Sequence, residues 1–248
     1  MKTPFKYIIL TIVVLVFTTV SCEKELKKLP LDQPSDENYF TSEREVKMAL
    51  NGAYNGLWWE IRNTPAAIYL AFISDNGFPR SDAGIGLKET VQGGHSPNTG
   101  LFEDVWDHMY TYIGRCNNLL EKMESAQSDM TDELYDRIQA EAKFLRAFYY
   151  YWLIHLYGDV PYLTEVTSLE NANVPRTEKS QIVQDLIQDL DDVTETLPES
   201  YSGSNEGHAT KGAALTLKAR IALFSERYGL AAQAAKNVID LGIYSLYP

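Results

Sequence analysis

The 248 residues carry 22 Lys and Arg against 34 Asp and Glu, a formal net charge of −12, with 45% hydrophobic residues and two cysteines. An acidic surface repels phosphate backbones, which excludes a nucleic-acid binder built on a basic face. Two isolated cysteines exclude a paired-Cys zinc pattern.

Lys2 and Lys6 precede an uncharged run over residues 7 to 21, whose strongly apolar part is too short to cross a bilayer of about 30 Å. Basic residues in front and small residues behind read as a secretory signal spanning residues 1 to 21. Thr19-Val20-Ser21-Cys22 looks like a lipobox, in which Cys22 becomes the lipid-modified first residue of the mature chain; Thr19 stands where an aliphatic residue is commoner. Cleavage before Cys22 removes only two lysines, so the mature chain keeps 20 basic side chains against 34 acidic ones. Two or more acyl chains give stable membrane anchoring where one is marginal. Residues 22 to 38 mix charges with two prolines and lack an apolar stripe, the pattern of an extended tether. The folded domain is expected over residues 39 to 248.

Ser42 and Glu45 have the spacing of a capping box, and Val46, Ala49, Leu50, Ala53, Tyr54, Leu57 and Trp58 then predict one face of a first helix. That phase turns Trp58 inward and leaves Trp59 just off the stripe. After Pro65 a shorter apolar segment covers residues 66 to 73. Residues 74 to 100 then lose periodicity and carry six glycines and two prolines. A loop this long inside a domain points to function or disorder. Within it Asp75, Asn76 and Arg80 can hydrogen-bond sugar hydroxyls, Asp82 likewise. Phe78 and His95, with Phe102, offer flat surfaces for a sugar ring, and the glycines allow a close backbone approach.

Phe102, Val105, Trp106, Met109, Ile113, Cys116, Leu120 and Met123 predict a helix of about six turns. Cys116, at helical spacing among apolar neighbours, reads as a small core hydrophobe. Thr131 is placed to cap a long helix carrying Ala142, Leu145, Tyr149, Trp152, Leu153 and Leu156, with Gly158 as a left-handed stop. Thr177 is placed to cap the next, striped by Ile182, Leu186, Leu190, Val193 and Leu197 and ended by Pro198. A polar loop over residues 199 to 209 precedes two short closing helices. No strand-like alternation of convincing length occurs, so the fold class is all-α. Ala219 and Ala231, twelve residues apart, match the small positions where tetratricopeptide helices touch.

The string AEAKFLRAFYYYWLIHLYGDVP at 140 to 161 resembles the signature helix of the SusD/RagB family, the surface nutrient-binding lipoproteins of Bacteroidetes. WDHMYTYIGRCNNLLE at 106 to 121 and the closing helices from KGAALTLKARIALF onward are similar to the same family. The resemblance implies a tetratricopeptide-like helical solenoid on the outer membrane. It also implies a non-enzymatic binder of oligosaccharide or another nutrient, lipid-anchored and facing outside, whose partner is a SusC-type TonB-dependent transporter. The region corresponding to residues 74 to 100 contributes to the glycan cleft in such proteins. Family members continue past the sequence at 244 to 248, so the chain is expected to be an N-terminal portion. Glu23 and Glu25 only partly match the acidic residues that accompany export to the outer face.

No phosphate loop, His-Glu-x-x-His, Gly-x-Ser-x-Gly or shared histidine ligand spacing is present, so no cofactor, no metal and no catalytic residue are expected. Two other readings remain at this point: a lipid-anchored tetratricopeptide-like adaptor that binds only protein, and a surface hydrolase, which needs a pair of carboxylates about 5 to 10 Å apart facing a cleft.

Overall fold

The computed structural model describes residues 39–61, 64–75, 77–168 and 173–246. The expected signal, the expected tether with Cys22, and Asn76 lie outside them. Among the described residues eight α-helices dominate: α1 Glu43–Tyr54, α2 Ala66–Phe72, α3 Leu87–Val91, α4 Gly100–Lys122, α5 Asp132–Tyr157, α6 Lys179–Thr196, α7 Lys211–Phe224 and α8 Tyr228–Asp240. Two antiparallel strand pairs of two residues each, β1 Glu60–Ile61 with β2 Thr64–Pro65 and β3 Val160–Pro161 with β4 Arg176–Thr177, tie loops together. From α4 to α8 each helix packs on the next, the arrangement of a helical solenoid.

The start of α1 closes differently from the expected capping box. Ser42 makes no side-chain cap; instead the Glu45 carboxylate accepts from the Thr41 amide at 2.7 Å and the Thr41 hydroxyl at 2.9 Å. Val46, Leu50 and Ala53 are buried as their spacing requires. The helix then tightens into a 3₁₀ turn at Asn55–Leu57. That turn advances by 3.0 residues instead of 3.6, so the stripe loses phase. Trp58 consequently faces out, 74% exposed, and Trp59 faces in. Its ring stacks on His108 at 5.4 Å and meets the edge of Trp152 at 5.9 Å. The sequence phase, which instead turns Trp58 inward and leaves Trp59 open just off the stripe, is lost at this turn. Trp58→Ala should therefore change stability by no more than about 0.5 kcal/mol. Trp59→Ala, which empties a packed site, should cost about 2 kcal/mol or more, read from paired thermal melts.

The core lies between α4 and α5. Met109, Ile113, Cys116 and Leu119 from α4 and Ile138, Ala142, Leu145 and Tyr149 from α5 are all buried. Burial pushes the Cys116 thiol up to about 12, so it is a packing residue and not a nucleophile. Thr131 caps α5 as expected, accepting from Leu134 N at 3.2 Å. Gly158 ends it at φ 75°, ψ −119°. This is positive φ but outside the left-handed helical basin, a conformation open only to glycine. The cap expected of Thr177 is absent: Thr177 sits in β4, and Asp159 supplies the acceptor, its carboxylate taking Lys179 N at 2.8 Å.

Candidate functional site

The aromatic run of α5 sends its side chains in different directions. Tyr149 Oη donates to Ala53 O at 2.7 Å, anchoring the end of α1. Tyr150 Oη accepts from Leu163 N at 2.6 Å and donates to Leu163 O at 3.1 Å, fixing the segment after β3. Arg146, 7% exposed, reaches the same segment: its guanidinium donates to Asn117 Oδ1, to Thr164 O and to Asp189 Oδ2. Asn117 in turn donates to Leu163 O and Glu165 O. These residues of the resembling string are structural clamps.

The same helix carries a buried node. Glu141 is fully buried and accepts from Tyr54 Oη at 2.7 Å, His208 Nδ1 at 2.7 Å and Tyr201 Oη at 3.1 Å, with Arg137 Nε at 3.7 Å. Tyr54 Oη also accepts from Ala209 N at 2.7 Å. Burial first, then the Glu141 charge, pushes both phenols upward, so they serve only as donors to it at neutral pH. The node joins α1, α5 and the loop before α7.

The strongest candidate for ligand contact is a groove of about 830 Å³ at the start of α4 and the end of α5. Phe102, Trp106 and Tyr110 recur every four residues and share one face of α4. Trp106 packs on Tyr110 at 4.9 Å, and Tyr157 presents its edge to Trp106 at 5.1 Å and to Phe102 at 6.3 Å. Tyr157 Oη is engaged, donating to Phe102 O at 2.6 Å. His95 covers the outer side of Phe102 at 5.2 Å. Ser96, Asn98, Glu103 and Arg176 add polar groups to the lining. The result is a mostly apolar aromatic floor beneath a few polar side chains, which suits a sugar ring.

Of the residues expected to bind ligand, His95 lies in this groove. Asp75, Phe78 and Arg80 are exposed, Phe78 by 62%, and do not line it. Asp82 is structural, for its carboxylate takes Gly86 N at 3.1 Å and Lys88 N at 2.9 Å and so shapes the entry to α3. Trp106, Tyr157 and Arg176 were missed by sequence reading. The four-residue aromatic spacing was the available signal for Trp106. Among the described residues no group of three or more His, Cys, Asp or Glu is placed to hold a metal ion. No helix among them is long and apolar enough to cross a membrane.

Comparison with known proteins decides the family. The family model described as SusD-like, starch-binding associating with outer membrane, matches residues 31–223. The chain belongs to the SusD-like family. SusD-like protein P25 of Formosa agariphila is 26% identical, the match covering 96% of this chain and 47% of that protein. Among solved structures, a SusD-like protein from Bacteroides fragilis superposes with a TM-score of 0.76 at 29% identity, over 88% of this chain and 42% of its own. Surface glycan-binding protein A from Bacteroides uniformis superposes with a TM-score of 0.74 at 25% identity, over 84% and 48%. The chain thus spans about half the length of the SusD-like relatives it matches. The all-α solenoid expected from helix periodicity is the fold these SusD-like structures share.

Proposed function

We propose that this SusD-like chain is part of a non-enzymatic, lipid-anchored binder on the outer face of the outer membrane. It captures oligosaccharide and presents it to a SusC-type TonB-dependent transporter. The observation that carries the binding reading is the aromatic groove of Phe102, Trp106 and Tyr157 with polar groups around it. Family membership and the names of the glycan-binding relatives support it. Anchoring is proposed through Cys22, and the domain through residues 39 to 248.

Trp106→Ala should weaken oligosaccharide binding at least about tenfold, equivalent to about 1.4 kcal/mol, when measured by calorimetry against a glycan panel. Unchanged affinity would remove the groove from the binding site. A reducing-sugar assay on the same mixtures should show no release; hydrolysis that disappears with a single Asp or Glu would overturn the non-enzymatic reading. Cys22→Ala should move the protein from the membrane fraction to the soluble periplasm with an unchanged melting temperature, since Cys22 precedes the folded domain. Membrane retention of that variant would sink the anchor.

A further inference from the structure

We infer that the groove selects uncharged sugar residues over anionic ones, and that Glu103 and Arg176 make the choice; this rests on the glycan-binding reading above. Both side chains line the groove and both are exposed. Glu103 comes from the first turn of α4, whereas Arg176 is delivered from β4 by its pairing with Pro161. Neither side chain has a hydrogen bond or ion pair among the described residues.

Among the polar groups of the groove, Glu103 and Arg176 are therefore one charged acceptor and one charged donor, neither of them paired. A carboxylate only accepts hydrogen bonds and a guanidinium only donates them. A sugar hydroxyl does both. A neutral pyranose lying on the Phe102 and Trp106 rings can give two hydroxyl protons to Glu103 and receive from Arg176, which satisfies both groups. A uronate or sulfate ester satisfies Arg176 but brings a like charge into the groove that Glu103 also lines, and juxtaposed like charges are a strong rejecting element. The net charge of −12 extends that repulsion along a polyanion. An amino sugar meets the opposite conflict at Arg176. Uncharged residues alone leave nothing unpaired.

The test uses the intact protein with maltohexaose and laminarihexaose as neutral probes and hexagalacturonate as the anionic one, titrated calorimetrically at low and high salt. At least one neutral probe should bind with an affinity that salt leaves unchanged, and hexagalacturonate should bind at least about tenfold more weakly. Glu103→Gln should narrow that gap by about fivefold or more and make hexagalacturonate binding salt-sensitive; Arg176→Gln should weaken the neutral probe. Hexagalacturonate binding as tightly as the best neutral probe, or a gap that Glu103→Gln leaves intact, overturns the inference. If that tight anionic binding is lost in Trp106→Ala, the groove stands as the glycan site and only the charge selection falls. If no probe of either kind binds, both fall together.

Discussion

Gly56→Ala should destabilise this protein by about 3 to 5 kcal/mol, more than any conservative change on its surface. Gly56 is buried in the 3₁₀ turn after α1. A methyl group there collides with the ring of Tyr112 and the hydroxyl of Tyr149. Neither ring is free to retreat. Tyr149 is fully buried and bonded to Ala53 O, and Tyr112 Oη accepts from Asn55 Nδ2 at 3.1 Å. Overpacking costs about 1 to 3 kcal/mol, and an orphaned buried bond adds about as much. Gly212→Ala provides the control. The atoms nearest its methyl all belong to Tyr244, which is 53% exposed and can swing into water. Gly212 also lies in the first turn of α7, where alanine is a helix former at least as good as glycine. Thermal melts should separate the two variants by about 10 °C for a domain of this size. Equal melting temperatures would mean that Tyr112 and Tyr149 yield as easily as Tyr244.

The second large effect is expected at Glu141. Glu141→Ala removes the acceptor shared by Tyr54, Tyr201 and His208 and leaves Arg137 without its partner. Breaking a charged network centred on a buried carboxylate costs up to about 3 to 5 kcal/mol, because the remaining donors stay part-buried and lose their acceptor. Tyr201→Phe should then cost about 1 kcal/mol in the native background and close to nothing on top of Glu141→Ala. Additive losses in that double-mutant cycle would show that Tyr201 does not act through the carboxylate. The loss should also free the loop before α7, measurable as faster amide exchange at Ala209, whose N–H is held by Tyr54.

The long helices were legible because their apolar residues repeat at the helical period over many turns, as along Val105, Met109, Ile113 and Cys116. Periodicity fails where a local bond decides the geometry. The 3₁₀ turn at Asn55–Leu57 shifts phase by a fraction of a turn, enough to turn Trp58 out and Trp59 in. The five residues of α3 are too few to show a stripe; Asp82 and the positive φ of Gly86 start them. The candidate site was half visible. His95 and the Phe102-Trp106-Tyr110 spacing lie along one stretch of sequence. Tyr157 and Arg176 reach the groove through the end of α5 and the pairing of Val160 with Thr177 and Pro161 with Arg176. No pattern within a window of sequence encodes that meeting.

The strand pair also changes what mutation can do to this molecule. Asp159, β3 and β4 pin both ends of the connection between α5 and α6, while Arg146, Asn117 and Tyr150 hold Leu163 to Glu165 from beneath. A connection closed at its base can change length at little cost, about 0.6 kcal/mol for each doubling. Its far end emerges at Arg176, beside the groove. Insertions and deletions at residues 173 to 175, just before Arg176, can thus alter the surface next to the aromatic floor while the helices beneath keep their register, leaving evolution a place to vary the groove separately from folding.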